Sequence, residues 1–182
     1  MSGGVRVRRR RPDDVPGLVA LLLAQQQETR YPLRDPLPFP PEQFLHADDA
    51  AAAWVAELDG GVVGHACRTG GRCGTPEDDA IRASAARAHG CSESGLGWVS
   101  TLYVDLAHGG RGIGRLLLDT VVDDILAAGL RPALEVLPLH AAALALYESA
   151  GWRTVARARP AWLRGALGED GPDVQVMVLP AA

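Results

Sequence analysis

This chain of 182 residues is short of several things, and each shortage closes off a class of protein. It has three cysteines, an odd number that cannot make a closed disulfide set, so a reducing cytoplasm is the expected setting. No stretch approaches the ~18 uninterrupted apolar residues of a membrane span, and no membrane partner is expected. The opening MSGGVRVRRRRP has no apolar core of the kind a secretory leader needs. Basic residues are scattered apart from Arg8–Arg11, and the formal charge is −4. Nucleic-acid surfaces concentrate their basic residues, so none is expected here. Arg8–Arg11 reads instead as the solvated edge of a first strand.

What is present is apolar and patterned. With 47% hydrophobic residues, the chain is long enough to bury roughly 70% of its unfolded surface without staples. Neither an internal repeat nor a boundary composition breaks it, so one domain over 1–182 is expected. Val5–Arg9 alternates as a strand does. Pro12-Asp13-Asp14 opens a helix with its acids at the positive end of the dipole. Val15, Leu18, Val19, Leu22 and Leu23 then keep helical spacing to about Gln27. Five prolines in 29–41 end it, and a short helix is expected over Glu42–His46.

Ala52–Leu58 and Val62–Arg68 are strand-like runs joined by Asp59-Gly60-Gly61, a strong hairpin signal. Residues 69–96 read as a long glycine-rich loop holding at most a short helix in DDAIRASAARAH. Strand 97–104, helix 112–128 closed by Gly129, strand Ala133–Leu137 and helix 140–150 closed by Gly151 follow. Trp152–Ala158 and Val174–Leu179 read as a last strand pair around a long connection. Strand–helix–strand passages beside hairpins predict an α/β (α+β) fold on a mixed sheet.

Residues 99–115, VSTLYVDLAHGGRGIGR, carry the chemistry. A β-branched run delivers a glycine-rich turn to a helix start, which is a way to hold a phosphate with bare backbone N–H groups. Three readings compete. A Walker loop needs Lys-Ser/Thr after its last glycine, and Arg115-Leu116 stands there. A dinucleotide fingerprint finds Gly110 and Gly112 but Arg115 in place of the third glycine. Glu135 does sit near the offset of that motif's ribose-binding acid. The third reading is an acyl-CoA turn.

Gly109-Gly110-Arg111-Gly112-Ile113-Gly114, with Tyr-Val-Asp before it and Arg-Leu-Leu-Leu after it, resembles the central turn of the GNAT superfamily of acyl-CoA-dependent N-acyltransferases. The family pattern is Gln/Arg-x-x-Gly-x-Gly/Ala, and Gly109 stands where Gln or Arg is usual. A second stretch, His140-Ala-Ala-Ala-Leu-Ala-Leu-Tyr147-Glu-Ser-Ala-Gly151-Trp152, is similar to the closing pattern Asn-x-x-Ala-x-x-Leu-Tyr-x-x-x-Gly-Phe, with His140 for Asn. The matched region covers about residues 97–155.

The resemblance implies a mixed, twisted central sheet flanked by helices, with acyl-CoA at a splay between two central strands. It implies backbone contacts to the pantetheine arm from Leu102, Tyr103 and Val104, and a pyrophosphate held on the amides of Arg111 through Arg115. The Arg111 and Arg115 side chains would add charge, and His140 would replace an Asn that often touches the cofactor. Tyr147 is the implied general acid, since a phenol stays protonated at neutral pH. The base is open among Glu135, His65, Glu93, Asp105 and a water relay to backbone carbonyls. The implied activity is acetyl transfer from acetyl-CoA to a primary amine, of a small molecule or a peptide, by direct attack in a ternary complex. A homodimer is compatible with such sheets. Rival functions are a non-catalytic acyl-CoA sensor, with Tyr147 used for packing, and a dinucleotide-dependent oxidoreductase.

Other features read more plainly. His65-x-Cys67, Cys73 and His89-x-Cys91 are soft donors, but their spacing matches no common zinc module, and no metal is expected. Tyr31, Phe39 and Phe44 either line an acceptor site or pin their loop. Asp48, Asp49, Glu57, Asp59 and Glu77–Asp79 would favour a cationic amine if they faced a cleft. Trp98, Trp152 and Trp162 read as packing residues.

Overall fold

The computed structural model describes residues 4–46 and 52–181, so Asp48 and Asp49 lie outside the described residues. The strands are β1 (Arg6–Arg9), β2 (Ala52–Leu58), β3 (Gly61–Thr69), β4 (Leu96–Val104), β5 (Arg131–Val136), β6 (Arg153–Ala158) and β7 (Val174–Val178). The helices are α1 (Val15–Ala24), α2 (Gln26–Thr29), α3 (Pro41–His46), α4 (Pro76–His89), α5 (Ile113–Ala127), α6 (Ala141–Ser149) and α7 (Ala161–Leu167). This is the mixed α/β architecture expected from the sequence, with a mostly antiparallel sheet and flanking helices. No helix among the described residues is long and apolar enough to cross a membrane.

The chain forms two compact units. The first comprises Met1–Thr69 and Val99–Asp124, and its strand order is β1-β2-β3-β4. β2 and β3 pair antiparallel through a two-residue turn in which Asp59 (φ +50°) and Gly60 (φ +82°) are both left-handed. That geometry matches the right-handed twist of the flanking strands, which is why Asp-Gly marks the turn. Leu18, Leu22, Leu45, Val55 and Tyr103 are buried together, with Tyr31 and Phe44 packed on them. At Gly64 a Cβ would lie 3.0 Å from both Leu117 Cδ1 and the Tyr103 carbonyl oxygen, so glycine lets α5 settle on β3.

The second unit comprises Gly70–Trp98 and Ile125–Ala182. It takes the first residues of β4 and continues in the order β5-β7-β6, with β7 antiparallel to both neighbours. One expectation is corrected here. Residues 69–96 are not a loop around a short helix, because α4 alone has 14 residues. Thr75 caps it by accepting from the Asp78 N–H, Pro76 and three acids fill the first turn, and Gly90 (φ +64°) ends it. The connection after β6 contains α7, held by Arg164 donating to Glu77 on α4 at 2.7 Å and to the Arg159 carbonyl at 2.6 Å.

Candidate cofactor site and catalytic residues

In the first unit, β4 ends at Val104 and Asp105 starts a tight turn. Its carboxylate accepts from the Ala107 N–H at 2.9 Å and meets His108 Nδ1 at 3.2 Å. The Gly109 N–H closes that turn on the Leu106 carbonyl. Gly110 (φ +72°) and Gly112 (φ +78°) then place the chain where side chains are rarely tolerated, although a Cβ at either would meet nothing within 4 Å. The first helical bond of α5 runs from the Leu116 N–H to the Gly112 carbonyl. From Gly110 to Arg115, no backbone N–H has a partner among the described residues. A series of unspent donors at the positive end of a helix dipole is an anion cradle. Arg111 is exposed and able to add charge, whereas Arg115 is taken up by Asp119 at 2.8 and 3.0 Å.

The strand leading to this turn is bent. Thr101 has φ +45° inside β4, an outlier for a β-branched residue. Beyond it, the Asp105 N–H donates to Val63 on β3 at 2.8 Å. By the two-residue alternation of a strand, Tyr103 turns its backbone polar groups toward β3, and Leu102 and Val104 turn theirs away. The Tyr103 hydroxyl donates to the Leu18 carbonyl at 3.0 Å, and burial pushes its pKa well above the ordinary range.

Sequence reasoning missed Gln25. Its amide donates to the Val104 carbonyl and accepts from the Leu106 N–H, both at 3.1 Å, so a buried carboxamide holds the passage from strand to turn. No sequence signal marks it, since Gln25, Gln26 and Gln27 look alike in the run that follows α1.

The four side-chain base options separate. His65 is fully buried, with Nδ1 2.9 Å from the Thr101 carbonyl and Nε2 3.1 Å from Arg10 Nη1. Asp105 is spent on its turn, and Glu93 receives Arg82 at 3.2 Å. The carboxylate of Glu135, on β5 of the second unit, has no hydrogen-bond or ion-pair partner among the described residues. Loss of solvent pushes its carboxyl above the usual carboxylate range, Arg72 opposes that, and Asp78 adds to it.

Also in the second unit, Tyr147 on α6 is 6% exposed and lies 6.1 Å from the Trp152 ring. Its hydroxyl has no hydrogen-bond partner among the described residues. Burial alone pushes its pKa up to about 12. His140 occupies the N-cap of α6 without bonding the cap N–H groups through its side chain.

The remaining expectations sort as follows. Tyr31 and Phe44 stack edge-on at 5.5 Å over the core, while Phe39 is exposed. Glu57 pairs with Arg8 and Glu77 with Arg164, Asp59 serves the hairpin turn, Asp78 is buried, and Asp79 is exposed. Among the described residues, no three His, Cys, Asp or Glu side chains gather as a metal would need. Cys67 bonds the Thr101 hydroxyl at 3.0 Å, and His89 donates to the Pro132 carbonyl at 2.9 Å. Trp98 and Trp152 are buried, and Arg72 lies over the Trp162 ring at 4.6 Å.

The model of the acetyltransferase (GNAT) family matches residues 18–152. No curated protein matches the chain in sequence. Among solved structures, yncA from Salmonella typhimurium, determined with its cofactor acetyl-CoA, is similar at TM-score 0.68. It is 19% identical, over 98% of this chain and 94% of that one. The ribosomal-protein-S18-alanine N-acetyltransferase from Escherichia coli is similar at TM-score 0.62 and 19% identity, over 98% and 96%. A ribosomal-protein-alanine N-acetyltransferase from Brucella melitensis gives TM-score 0.68 at 19% identity, over 97% and 99%. At these identities the likeness establishes the fold.

Proposed function

The chain belongs to the GNAT acetyltransferase family, whose co-substrate is acetyl-CoA, and from that premise we propose direct transfer of the acetyl group to a primary amine in a ternary complex. The observation that carries this is the run of unpartnered N–H groups from Gly110 to Arg115 at the mouth of α5. They fit a diphosphate by charge and by number, with Arg111 beside them. Leu102 and Val104 supply main-chain groups to the pantetheine arm, and Tyr103 fixes the strand through its hydroxyl. Gly109 completes the turn, Ile113 and Gly114 belong to the donor run, and His140 contributes a polar contact.

In this reading the amine nitrogen attacks the thioester carbonyl. The C–N bond forms, the C–S bond breaks, and the thiolate takes a proton from the Tyr147 hydroxyl. Glu135 accepts the proton that the amine sheds, directly or through water. Two observations favour catalysis over a sensor. Tyr147 is buried with its hydroxyl unpartnered, and of the four side-chain base options the Glu135 carboxylate is the one without an ionic or hydrogen-bonded partner. The acceptor is a small-molecule or peptide amine. A single domain over 1–182, a cytoplasmic setting and a homodimer belong to the same reading.

The test has two steps. Acetyl-CoA is titrated calorimetrically and is expected to bind at one site per chain. An amine library is then screened by release of free thiol. A protein that leaves acetyl-CoA unbound, or that binds it and acetylates nothing across amino acids, polyamines and peptide N-termini, refutes the transferase reading.

A further inference from the structure

Thr101 is the point where β4 departs from regular strand geometry, and the side chains around it are unusually committed. A β-branched residue at φ +45° persists only where its surroundings over-determine it. Here both of its polar ends are held. The carbonyl faces Nδ1 of His65 at 2.9 Å, and the hydroxyl meets the Cys67 sulfur at 3.0 Å. His65 and Cys67 are both buried. Because a carbonyl only accepts, His65 Nδ1 must carry the proton. Because a guanidinium only donates, Nε2 must be the bare nitrogen that accepts from Arg10 at 3.1 Å. Arg10 is itself fixed by donating to the Leu45 carbonyl at 2.6 Å. The imidazole is thus neutral, in one tautomer, and oriented from both sides.

The consequence lies across the next peptide bond. The Thr101 carbonyl and the Leu102 N–H belong to one planar unit and point in opposite directions. Whatever anchors that oxygen also aims that hydrogen. Building on the acetyl-CoA reading above, we infer that His65 is a positioning residue that aims the Leu102 N–H at the thioester oxygen. It does so by holding the Thr101 carbonyl on the β3 side. His65 touches neither reactant. Its contribution is to keep a donor pre-aligned, so that no reorganisation is needed as negative charge develops on that oxygen.

The test reads the carbonyl itself and needs no acceptor. Acetyl-CoA labelled with 13C at the acetyl carbonyl is bound to the full-length protein, and its stretching band is followed by isotope-edited infrared difference spectroscopy. In the wild type the band should move to lower frequency than in solution. In His65→Leu it should return toward the solution position, with acetyl-CoA affinity changed less than threefold. In His65→Asn, whose amide nitrogen occupies the place of Nδ1, the low-frequency band should persist. In turnover with an amine from the screen, His65→Leu should lose at least tenfold in kcat with KM for acetyl-CoA within threefold.

If His65→Leu does not fold, the comparison passes to His65→Asn and His65→Gln. The second moves the amide outward, away from the Thr101 oxygen, and should lose the shift. A band unshifted in the wild type, or equally shifted in the Leu or Gln variants, overturns the positioning role. Failure of the wild type to bind acetyl-CoA overturns the cofactor reading instead, so the two failures are told apart.

Discussion

Tyr147 is largely buried and its hydroxyl has no hydrogen-bond partner among the described residues, which disfavours ionisation and also leaves the hydroxyl without a structural task. Tyr147→Phe is therefore expected to leave the melting temperature unchanged or higher. It should lower kcat at saturating acetyl-CoA by about 10- to 100-fold, within the range of general acid–base catalysis. Stopped or single-turnover kinetics beside a thermal melt check both halves. Glu135 is shifted in the same direction by the same cause. Its folded pKa is raised, so the stability it contributes is complete below the unfolded value and is lost as pH rises through the folded one. Glu135→Gln should accordingly stabilise the protein at pH 7 in denaturant titrations, and as the base it should lose activity. Stabilisation without loss of activity removes it from the chemistry.

At this scale the sequence was informative where a residue type is tied to a pattern. Tyr147 and the glycines stood in recognisable strings. Gln25 and the Thr101 kink did not, because a carboxamide that bridges two backbone atoms 79 and 81 positions away leaves no local mark.

Among the elements, the turn before α5 separates glycines that are needed from one that is not. Gly110→Ala and Gly112→Ala force a side chain into φ +72° and +78°. Each should cost about 1 kcal/mol in chemical denaturation and weaken acetyl-CoA binding at least tenfold by calorimetry. Gly109 has φ −57°, so Gly109→Ala should cost less on both measures, with only the Leu106 carbonyl 3.3 Å away to accommodate. The strands, α5, α6 and the Asp59-Gly60 hairpin were all legible, because period, caps and turn residues agree there.

α4 was legible only as a short helix in DDAIRASAARAH, because the glycine-rich, polar residues around that stretch argued for a loop. Its stability comes from packing on β6 and β7, which no local pattern shows. α7 has only seven residues and is held by Arg164 bonds to Glu77 and Arg159. Both tethers are long-range or irregular, so the sequence offered nothing to find.

Taken whole, the protein should be limited by different groups at the two ends of the pH scale. On the acid side, Arg8 grips Asp14 at 2.8 and 2.9 Å and Glu57 at 2.8 Å, and its hydrogen bond holds the Asp14 carboxyl below the usual range. That stability is present above the unfolded Asp value near ~4 and lost as pH falls through the lowered one. Asp14→Asn should cost roughly 1–3 kcal/mol at pH 7 and flatten the acid limb of a melting-temperature profile.

On the alkaline side, the unfolded chain gives up its tyrosine protons near ~10, while Tyr147 keeps its own to about 12. Stability should drop by about 3 kcal/mol over that interval, and Tyr103 adds in the same direction. Tyr147→Phe should make that limb shallower.

β1 ends the strand order of the first unit and β6 that of the second, and both margins carry arginine with no carboxylate partner among the described residues: Arg6 on one, Arg153 and Arg157 on the other. An unpaired strand border invites like borders to zip onto it, and fixed positive charge repels that approach. The protein should then tolerate concentration best in dilute buffer and begin to cluster as added salt screens the guanidinium groups. Light scattering across a salt series would expose that inverse order, the reverse of what an apolar sticking surface rimmed by charge-neutral residues would give.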